Sequence, residues 1–548
     1  MAFPGWIGEF RADGKNATCI GSAEMRNFYS YLHLLILILI GISVVFYFSF
    51  TAEDAYITYR YAENLVNTGS LVYNEGEPIN AMTSPLHAVL SAALFFVTGN
   101  TVLSNKIVSL VLLFVSALLV WYRYRKYLHL QALALILLLP PCVLLWTFGG
   151  LETPILLFLA SITVILANRP PPFNLSSLCG IFVLAGLGFL TRYDSILFFL
   201  PITLYVASKT QSIKYVVIAL AGGAILPLAW IFVSIYYYGD LLPTSFYVKT
   251  PKGNLAGLIF NGIYIASYLL NVGIVPVVAL VFVLLVPKHK TIDILHQHLK
   301  SLWWLYTGLL LEILYGLTMA THHMMFSFRF FVPYIPSAVI LVVDLIRRAS
   351  ETRDLELTAG RQGYLFTGFL IVLAFFQLYQ NVYTYDYSVN GISFIGEYRA
   401  LGIRDYVRFM QILKQEALDI ESHWERIHVD SEGRPRIITF AAGMLPYTYR
   451  ESYIYEQLVS YRHCHERYRQ GLYADYLHIL APRQGEVDRQ LPRAEDSYDL
   501  VSSYEMYFDG SMQKFLVYYN PNPEAPNLSA RISDFCKQAE EPIVGQNK

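Results

Sequence analysis

The sequence predicts an α-helical membrane protein with many spanning segments, followed by an α/β domain outside the membrane. Of its 548 residues, 55% are hydrophobic and only 15% are charged, whereas a soluble domain carries about 25% charged residues. Apolar runs recur from Tyr31 to about Val382 and then stop. The remaining 383–548 alternates apolar runs, such as Ile437–Ala442 and Phe515–Tyr519, with turn-rich stretches. That length is enough for a small domain.

Eleven apolar runs are candidates for spanning helices, because a crossing needs about 20 apolar residues and at least about 17. The first run, 31–50, is too long for the core of a signal peptide and lacks a small-x-small cleavage site, so we expect a retained anchor. Several of the others are short. They are 104–121, 129–147, 155–167, 175–190, 196–208, 215–236, 271–286, 302–319, 330–346 and 364–382.

The run Leu86–Thr98 could cross the membrane or lie at its surface, and basic residues favour the second alternative. If it crossed, Arg123, Arg125 and most later basic loops would fall outside, against the positive-inside rule. We therefore predict an interfacial or re-entrant helix within a first external loop, 51–103. Leu258–Leu270 is predicted to be an amphipathic helix on the outer surface. The N-terminus is then cytoplasmic and the C-terminal domain extracytoplasmic.

This topology places the unusual ionisable residues on the external side. Charged groups at membrane depth are costly and are generally functional. A set of them on one side predicts a single polar cavity at the outer face of the membrane. They are Glu53, Asp54, Arg60, Glu152, Arg192, Asp194, Asp240, Lys249, His322, His323 and Arg329.

Composition argues against two classes of partner. A net charge of −1 without a basic face gives no reason to expect nucleic acid binding. The sequence contains no CxxC or Cys/His metal spacing, and we interpret His463-Cys464-His465 as a surface cluster. Cys464 and Cys536 could pair if the C-terminal domain faces an oxidising compartment.

Several segments carry a family resemblance. They are similar to polytopic GT-C glycosyltransferases that use polyprenyl-phosphate sugars, and most similar to the bacterial arabinofuranosyltransferases that cap arabinan. Two features depart from that pattern: Glu53 replaces the usual first Asp, and RESYIYEQL (450–458) replaces an acidic and Gly-Leu element. The matching segments are EDAYITYR (53–60), GSLVYNEGEP (69–78), MTSPL (82–86), GGLETP (149–154), LTRYDSILF (190–198), YYGDLLPTSFYVK (237–249), FRFFVPYIP (328–336) and AAGMLPYTY (441–449).

The resemblance implies a GT-C-like domain, 1–382, with an extracytoplasmic domain, 383–548, in the inner (plasma) membrane of a bacterium. It also implies inverting transfer of a pentofuranose, most simply D-arabinofuranose. The lipid-linked donor would be a polyprenyl phosphate sugar such as decaprenyl-phosphate-arabinofuranose. The acceptor would be an external glycan or a secreted, pilin-like protein. We expect no divalent metal, since one Glu/Asp pair is thin support for a cation site.

Transfer from a lipid phosphate needs a base for the acceptor hydroxyl and cations for the departing phosphate. Asp54 is the predicted general base, and its competing interpretation is a helix N-cap. Arg60, Arg329 and Lys249 are predicted to bind the donor phosphate, with anchoring at lipid headgroups as the alternative. The predicted substrate-binding residues are Glu53, Glu152, Arg192, Asp194, His322 and His323.

Structural roles without a function in binding are the alternatives for the predicted substrate-binding residues. Glu152 could cap a helix through the dipole, and Arg192 and Asp194 could simply pair with each other. His322 and His323 could be a hydrated interfacial pair. The rival function is a polytopic transporter or flippase of lipid-linked sugars. Transporters often contain internal repeats, and none is visible in this asymmetric sequence.

Overall fold

The computed structural model is mostly helical, with a small sheet near the C-terminus. It describes residues 17–249, 255–272, 277–278, 281, 288–318, 327–352, 360–386, 402–428, 433–439, 441–455, 475–481, 499–508, 511–519 and 521. The first helices are α1 Ala17–Tyr47, α2 Glu53–Thr68, α3 Pro85–Thr98, α4 Thr101–Arg123, α5 Leu128–Leu137, α6 Pro141–Phe148, α7 Thr153–Ala167 and α8 Leu175–Thr191. The next are α9 Ile196–Ser208, α10 Ile213–Val233, α11 Thr244–Lys249, α12 Leu255–Asn271, α13 Lys288–Thr318, α14 Ile335–Thr352 and α15 Gly360–Asp386.

Long apolar helices confirm the predicted membrane fold. Within the described ranges, four helices are long and apolar enough to cross a bilayer, and a bent pair would make five. The four are Tyr29–Tyr47, Thr101–Arg123, Ile213–Tyr238 and Leu365–Val382. The predicted runs 155–167, 175–190 and 196–208 form shorter apolar helices. The predicted number of about eleven spanning helices is therefore reached only if helices too short to cross the bilayer in a straight line are included.

The predicted single helix 129–147 is wrong, because the chain bends there. Helices α5 and α6 meet at an angle of 61°. Pro140 lies in extended backbone and Pro141 opens α6. A proline has no backbone N–H to donate and its ring clashes with the preceding turn, so a continuous helix is interrupted at this point.

The segment 51–103, predicted to be an external loop, contains two helices, α2 and α3, that pack on each other. The observed bounds of α3, Pro85–Thr98, agree with the predicted Leu86–Thr98, and α12 spans the predicted Leu258–Leu270. Ser84 caps α3 by accepting a hydrogen bond from the His87 backbone N–H, and Pro85 occupies the first turn. Their positions at the membrane surface remain predictions.

The C-terminal region contains a long helix, α16 (Ile403–Ile427), a short one, α17 (Met444–Thr448), and a five-stranded mixed sheet. The strand order is β2-β1-β3-β5-β4, with β1 parallel to β2 and β3, and β5 antiparallel to β3 and β4. The strands are β1 Arg436–Ile438, β2 Tyr453–Tyr455, β3 Tyr476–Ala481, β4 Asp499–Phe508 and β5 Ser511–Tyr519.

The core of this C-terminal region is shared with the loop 51–103. Ile437 and Ile454 from the sheet belong to the same buried apolar cluster as Ile57, Tyr61 and Tyr73 from the loop. The expected α/β region is therefore present, but its core is not made by the residues after 382 alone. The loop 51–103 and the C-terminal region form one packed unit.

Two glycines allow α8 and α10 to approach closely. A Cβ at Gly223 would lie 2.5 Å from the backbone oxygen of Phe182, and a Cβ at Gly186 would contact the backbone oxygen of Gly223. Small residues of this kind let membrane helices pack backbone to backbone. Neighbouring Gly222 has no atom within 4 Å of its Cβ position. The pair therefore provides a test of the helix contact.

We expect Gly223→Ala to destabilise the protein by about 1–3 kcal/mol, because overpacking must push the two helices apart. Gly222→Ala, one residue away on the same helix, is the control and should be neutral or slightly stabilising. Thermal unfolding of both variants in the same detergent measures the difference. Equal unfolding midpoints would contradict the close contact between α8 and α10.

Candidate functional site

A buried arginine lies between two carboxylates at one end of the helical bundle. Arg329 Nη1 is 3.6 Å from Asp54 Oδ2, and Arg329 Nη2 is 3.2 Å from Glu152 Oε1. The guanidinium also lies over the Trp146 ring, 5.3 Å from its centroid. Three of the residues predicted from sequence are therefore neighbours, although they are separated by 98 and 177 positions along the chain.

Asp54 lies in the first turn of α2, and its competing interpretation as an N-cap is wrong. The N-cap is Ala52, which makes no side-chain capping bond, and Glu53 is the first helical residue. The Asp54 side chain is 33% exposed, whereas those of Arg329 and Glu152 are 9% and 4% exposed. Asp54 is therefore the acid of this group that an arriving molecule can reach.

A tight turn brings Glu152 to α2. Gly150 has a φ of +75°, which favours glycine, and a Cβ there would contact the Tyr59 hydroxyl and lie 3.1 Å from the Ala55 Cβ. Just before it, the Gly149 carbonyl accepts a hydrogen bond of 2.9 Å from the Ala52 N–H. The two glycines of GGLETP are thus needed for close approach of this turn to α2.

Glu152 is the N-cap residue of α7, but its side chain makes no capping bond. It pairs with Arg329 instead, at 3.2 and 3.4 Å from Nη2. Burial acts to raise the pKa of Glu152, but Arg329 and Arg192 outweigh burial and hold that pKa below its usual value. Glu152 is therefore a fixed negative charge that orders Arg329.

The backbone before Arg329 is unusual. Ser327 and Phe328 have φ values of 49° and 57°, a left-handed conformation that costs non-glycine residues about 1–3 kcal/mol each. The Ser327 carbonyl accepts a 3.1 Å hydrogen bond from the Trp146 indole N–H. Such conformations persist where surrounding contacts enforce them, and they cluster at functional sites.

Arg192 and Asp194 form the pair that the simpler interpretation predicted. Arg192 Nε and Nη2 donate to the two carboxylate oxygens of Asp194, at 3.2 and 2.6 Å. Arg192 also lies over the Phe330 ring, 4.7 Å from its centroid, and donates to the Phe330 carbonyl at 3.5 Å. The Arg192–Asp194 pair therefore supports the segment that carries Arg329. The pair lies beside the site and is not among the direct contacts of Arg329.

Glu53, predicted to be a substrate ligand, contacts the C-terminal region. Its carboxylate accepts a hydrogen bond from the Gly443 N–H, and its backbone N–H donates to the Tyr406 hydroxyl at 2.8 Å. A side chain on Gly443 would collide with the Glu53 backbone. Glu53 thus anchors the first turn of α2, next to Asp54.

The guanidinium of Arg60, predicted to bind the donor phosphate, binds backbone carbonyls. Nε donates to Tyr73 at 2.9 Å, Nη1 to Pro446 at 2.6 Å, and Nη2 to Arg450 and Ser452 at 3.3 and 2.7 Å. The residue is 5% exposed. A guanidinium that already donates to four backbone carbonyls is poorly placed to bind a phosphate. We therefore assign Arg60 to the junction between α2 and the C-terminal region.

The remaining predicted residues are not placed by the structure. His322 and His323 lie outside the described residues, and for Lys249 the structure describes the backbone at the end of α11 without its side chain. Cys464 and Cys536 also lie outside. In the part of the chain that is described, no group of three or more His, Cys, Asp or Glu side chains could hold a metal ion.

Sequence reasoning missed a second buried acid. Glu63 is 2% exposed, and it accepts hydrogen bonds from Thr101 Oγ1 at 2.5 Å and the Tyr447 hydroxyl at 2.6 Å. It also pairs with Arg450. One signal was available: Glu63 lies three residues after Arg60 on the same helix, and Tyr447 belongs to the quoted AAGMLPYTY segment.

No family model and no curated protein matches the sequence. Solved structures do match. ArnT from Cupriavidus metallidurans bound to undecaprenyl phosphate aligns with a TM-score of 0.54 at 10% identity, over 90% of this chain and 99% of that one. ArnT in the apo state aligns with the same TM-score and identity, over 90% and 98%. This chain has the ArnT fold. The prediction of a polytopic helical membrane fold with a C-terminal α/β region is confirmed.

We expect Arg60→Lys to lower the stability of the protein by about 3 kcal/mol, because a lysine ammonium cannot serve four buried carbonyls. Arg434→Lys is the control, since Arg434 is 54% exposed in its pair with Glu75 and such pairs contribute about 0–1 kcal/mol. Thermal unfolding in detergent measures the difference, and equal midpoints for the two variants would contradict the assignment.

Proposed function

We propose that this protein is a membrane glycosyltransferase that takes its sugar from a polyprenyl phosphate. The observation that carries the proposal is the buried Arg329 between Asp54 and Glu152. The ArnT fold supports it, since a solved ArnT structure contains bound undecaprenyl phosphate. Arg329 supplies the cation for a lipid phosphate, and Asp54 supplies the base.

The unequal contacts of Arg329 suit a phosphate ligand. Glu152 contacts Nη2 at 3.2 Å and is buried, whereas Asp54 contacts Nη1 at the longer distance of 3.6 Å and is partly exposed. A phosphate can therefore replace Asp54 at Nη1 while Glu152 keeps the guanidinium in place. Guanidinium and phosphate form charge-assisted, often bidentate hydrogen bonds. Asp54, released from Nη1, is left beside the reacting centre.

The chemistry requires one proton transfer and one displacement. Asp54 accepts the proton of the acceptor hydroxyl as its oxygen attacks the anomeric carbon of the sugar. The bond from that carbon to the phosphate oxygen breaks, and its electron pair leaves with the lipid phosphate. Arg329 stabilises the negative charge that develops there. A single displacement of this kind inverts the anomeric centre.

The finer identity of the substrates follows the family resemblance. We propose a pentofuranose, D-arabinofuranose, carried on a decaprenyl-type phosphate, and an external glycan or pilin-like protein as acceptor. The N-terminus is proposed to be cytoplasmic, which places the site on the extracytoplasmic face of the inner membrane. A transporter or flippase of lipid-linked sugars is the alternative, and it would move the lipid without forming a glycosidic bond.

We expect Asp54→Asn to reduce transfer by about 10²–10⁴-fold, the usual contribution of a general base. The carboxamide keeps the size of the side chain but cannot accept the proton. The assay follows sugar transfer from a synthetic polyprenyl-phosphate arabinofuranose to candidate acceptors. Asp293→Asn is the control, since Asp293 is an exposed residue of α13 and is not among the residues predicted to form the polar cavity. Near-normal turnover by Asp54→Asn would rule out the base assignment.

A second prediction separates phosphate binding from proton transfer. Arg329→Lys should weaken binding of undecaprenyl phosphate by roughly 10- to 100-fold, because charged hydrogen bonds of the planar fork are lost. Asp54→Asn should bind this lipid at least as well as the unchanged protein. Arg347→Lys, in α14, is the control. Equal lipid affinity of Arg329→Lys and Arg347→Lys would exclude Arg329 as the phosphate ligand.

A further inference from the structure

Three residues near the Glu152–Arg329 pair each have a buried polar atom without a hydrogen-bond partner among the described residues. These atoms are the hydroxyl of Tyr59, Nδ1 of His87 and Oγ1 of Thr153. The three side chains come from α2, α3 and the first turn of α7. A buried polar atom left unpaired costs about 1–3 kcal/mol, so three of them at one place point to a ligand that completes their hydrogen bonds.

These residues meet around one turn. The Tyr59 hydroxyl lies against Gly150, two residues before Glu152. The rings of Tyr59 and His87 are 6.2 Å apart, at 60° to each other. His87 is 2% exposed and lies within electrostatic range of both Glu152 and Arg329. Thr153 directly follows Glu152. The unpaired atoms therefore belong to the Arg329 site.

Neighbouring hydrogen bonds determine which nitrogen of His87 carries the proton. Asn105 Nδ2 donates to the Thr101 carbonyl at 2.8 Å, so Asn105 Oδ1 is an acceptor and also receives the Ser91 hydroxyl at 3.1 Å. His87 Nε2 lies 3.2 Å from that same oxygen and must be the donor. In neutral His87, Nδ1 then carries the free lone pair and accepts a hydrogen bond.

We propose that His87 Nδ1, together with the Tyr59 and Thr153 hydroxyls, recognises the hydroxyl groups of the donor sugar. The inference rests on the proposed function and names the part of the site that selects the sugar. One acceptor and two hydroxyls, which both donate and accept, match a polyhydroxyl ring whose phosphate is held by Arg329. Because the His87 lone pair is buried, a sugar lacking the matching hydroxyl leaves it unpaired and is strongly disfavoured.

The test combines a conservative variant with deoxy donors. His87→Gln keeps an amide N–H that can donate to Asn105 and removes the Nδ1 acceptor. Ser91→Ala, on the same helix, is the control, since it disturbs the Asn105 contact and leaves Nδ1 in place. The donors are synthetic polyprenyl-phosphate D-arabinofuranose and its 2-, 3- and 5-deoxy analogues. Affinity for each donor, kcat and KM are measured, together with the unfolding midpoint of each variant.

For the unchanged protein, we expect one deoxy donor to lose roughly 10-fold or more in kcat/KM. His87→Gln should lose a similar factor with the intact donor and lose nothing further with that deoxy donor. This non-additivity identifies a direct contact, and a merely structural role for His87 would not produce it. Ser91→Ala should retain the full penalty for the deoxy donor.

If His87→Gln still loses kcat/KM with every deoxy donor by the same factor as the unchanged protein, the two losses are independent and the inference is overturned. Sugar transfer by the unchanged protein would still uphold the proposed function. If the unchanged protein binds the donors but transfers no sugar, the proposed function fails. The inference is then tested by the donor affinities, which should show the same non-additivity between His87→Gln and the deoxy donor. Failure of the unchanged protein to bind any of these donors would overturn both.

Discussion

The charge of Arg329 is the constraint on which the rest of the site depends. A buried guanidinium is costly unless carboxylates and hydrogen bonds compensate it. Glu152 and Asp54 provide that compensation, and each requires its own local structure. The Gly149-Gly150 turn carries Glu152 to α2, and the unusual backbone at Ser327 and Phe328 sets the position of Arg329. The stretches around positions 54, 152 and 329 are thus held together by one buried charge.

Buried ionic contacts also join the membrane part to the C-terminal region. Arg60 donates to carbonyls at Pro446, Arg450 and Ser452, and Glu63 binds Tyr447 and Arg450. Removing one partner of such a contact leaves buried charge or carbonyls unsatisfied. The junction is therefore stabilised by groups that tolerate little separation, and α2 is held from both sides, by the helical bundle and by the C-terminal region.

Sequence predicted the helical membrane fold, the α/β region and three members of the Arg329 cluster, because hydropathy and charge placement depend on short stretches of chain. It erred once on a local signal, because the prolines at 140 and 141 interrupt a run whose apolar composition alone indicates one helix. Elsewhere, long-range packing decides. Arg60 and Glu53 carry the expected charges, but their partners are a backbone N–H and carbonyls up to 392 residues away. His87 had no local signal, since its importance comes from the neighbours it meets after folding.

The contact between Glu53 and Gly443 has a consequence for how this protein can evolve. The glycine is needed because the first turn of α2 passes directly against it, and the residue after Glu53 is Asp54. A C-terminal region taken from another protein would have to reproduce that close approach, as well as the carbonyls that receive Arg60. Substitutions in the first turn of α2 and in the C-terminal region around Gly443 are therefore coupled, because a change on either side of this contact must be accommodated by the other.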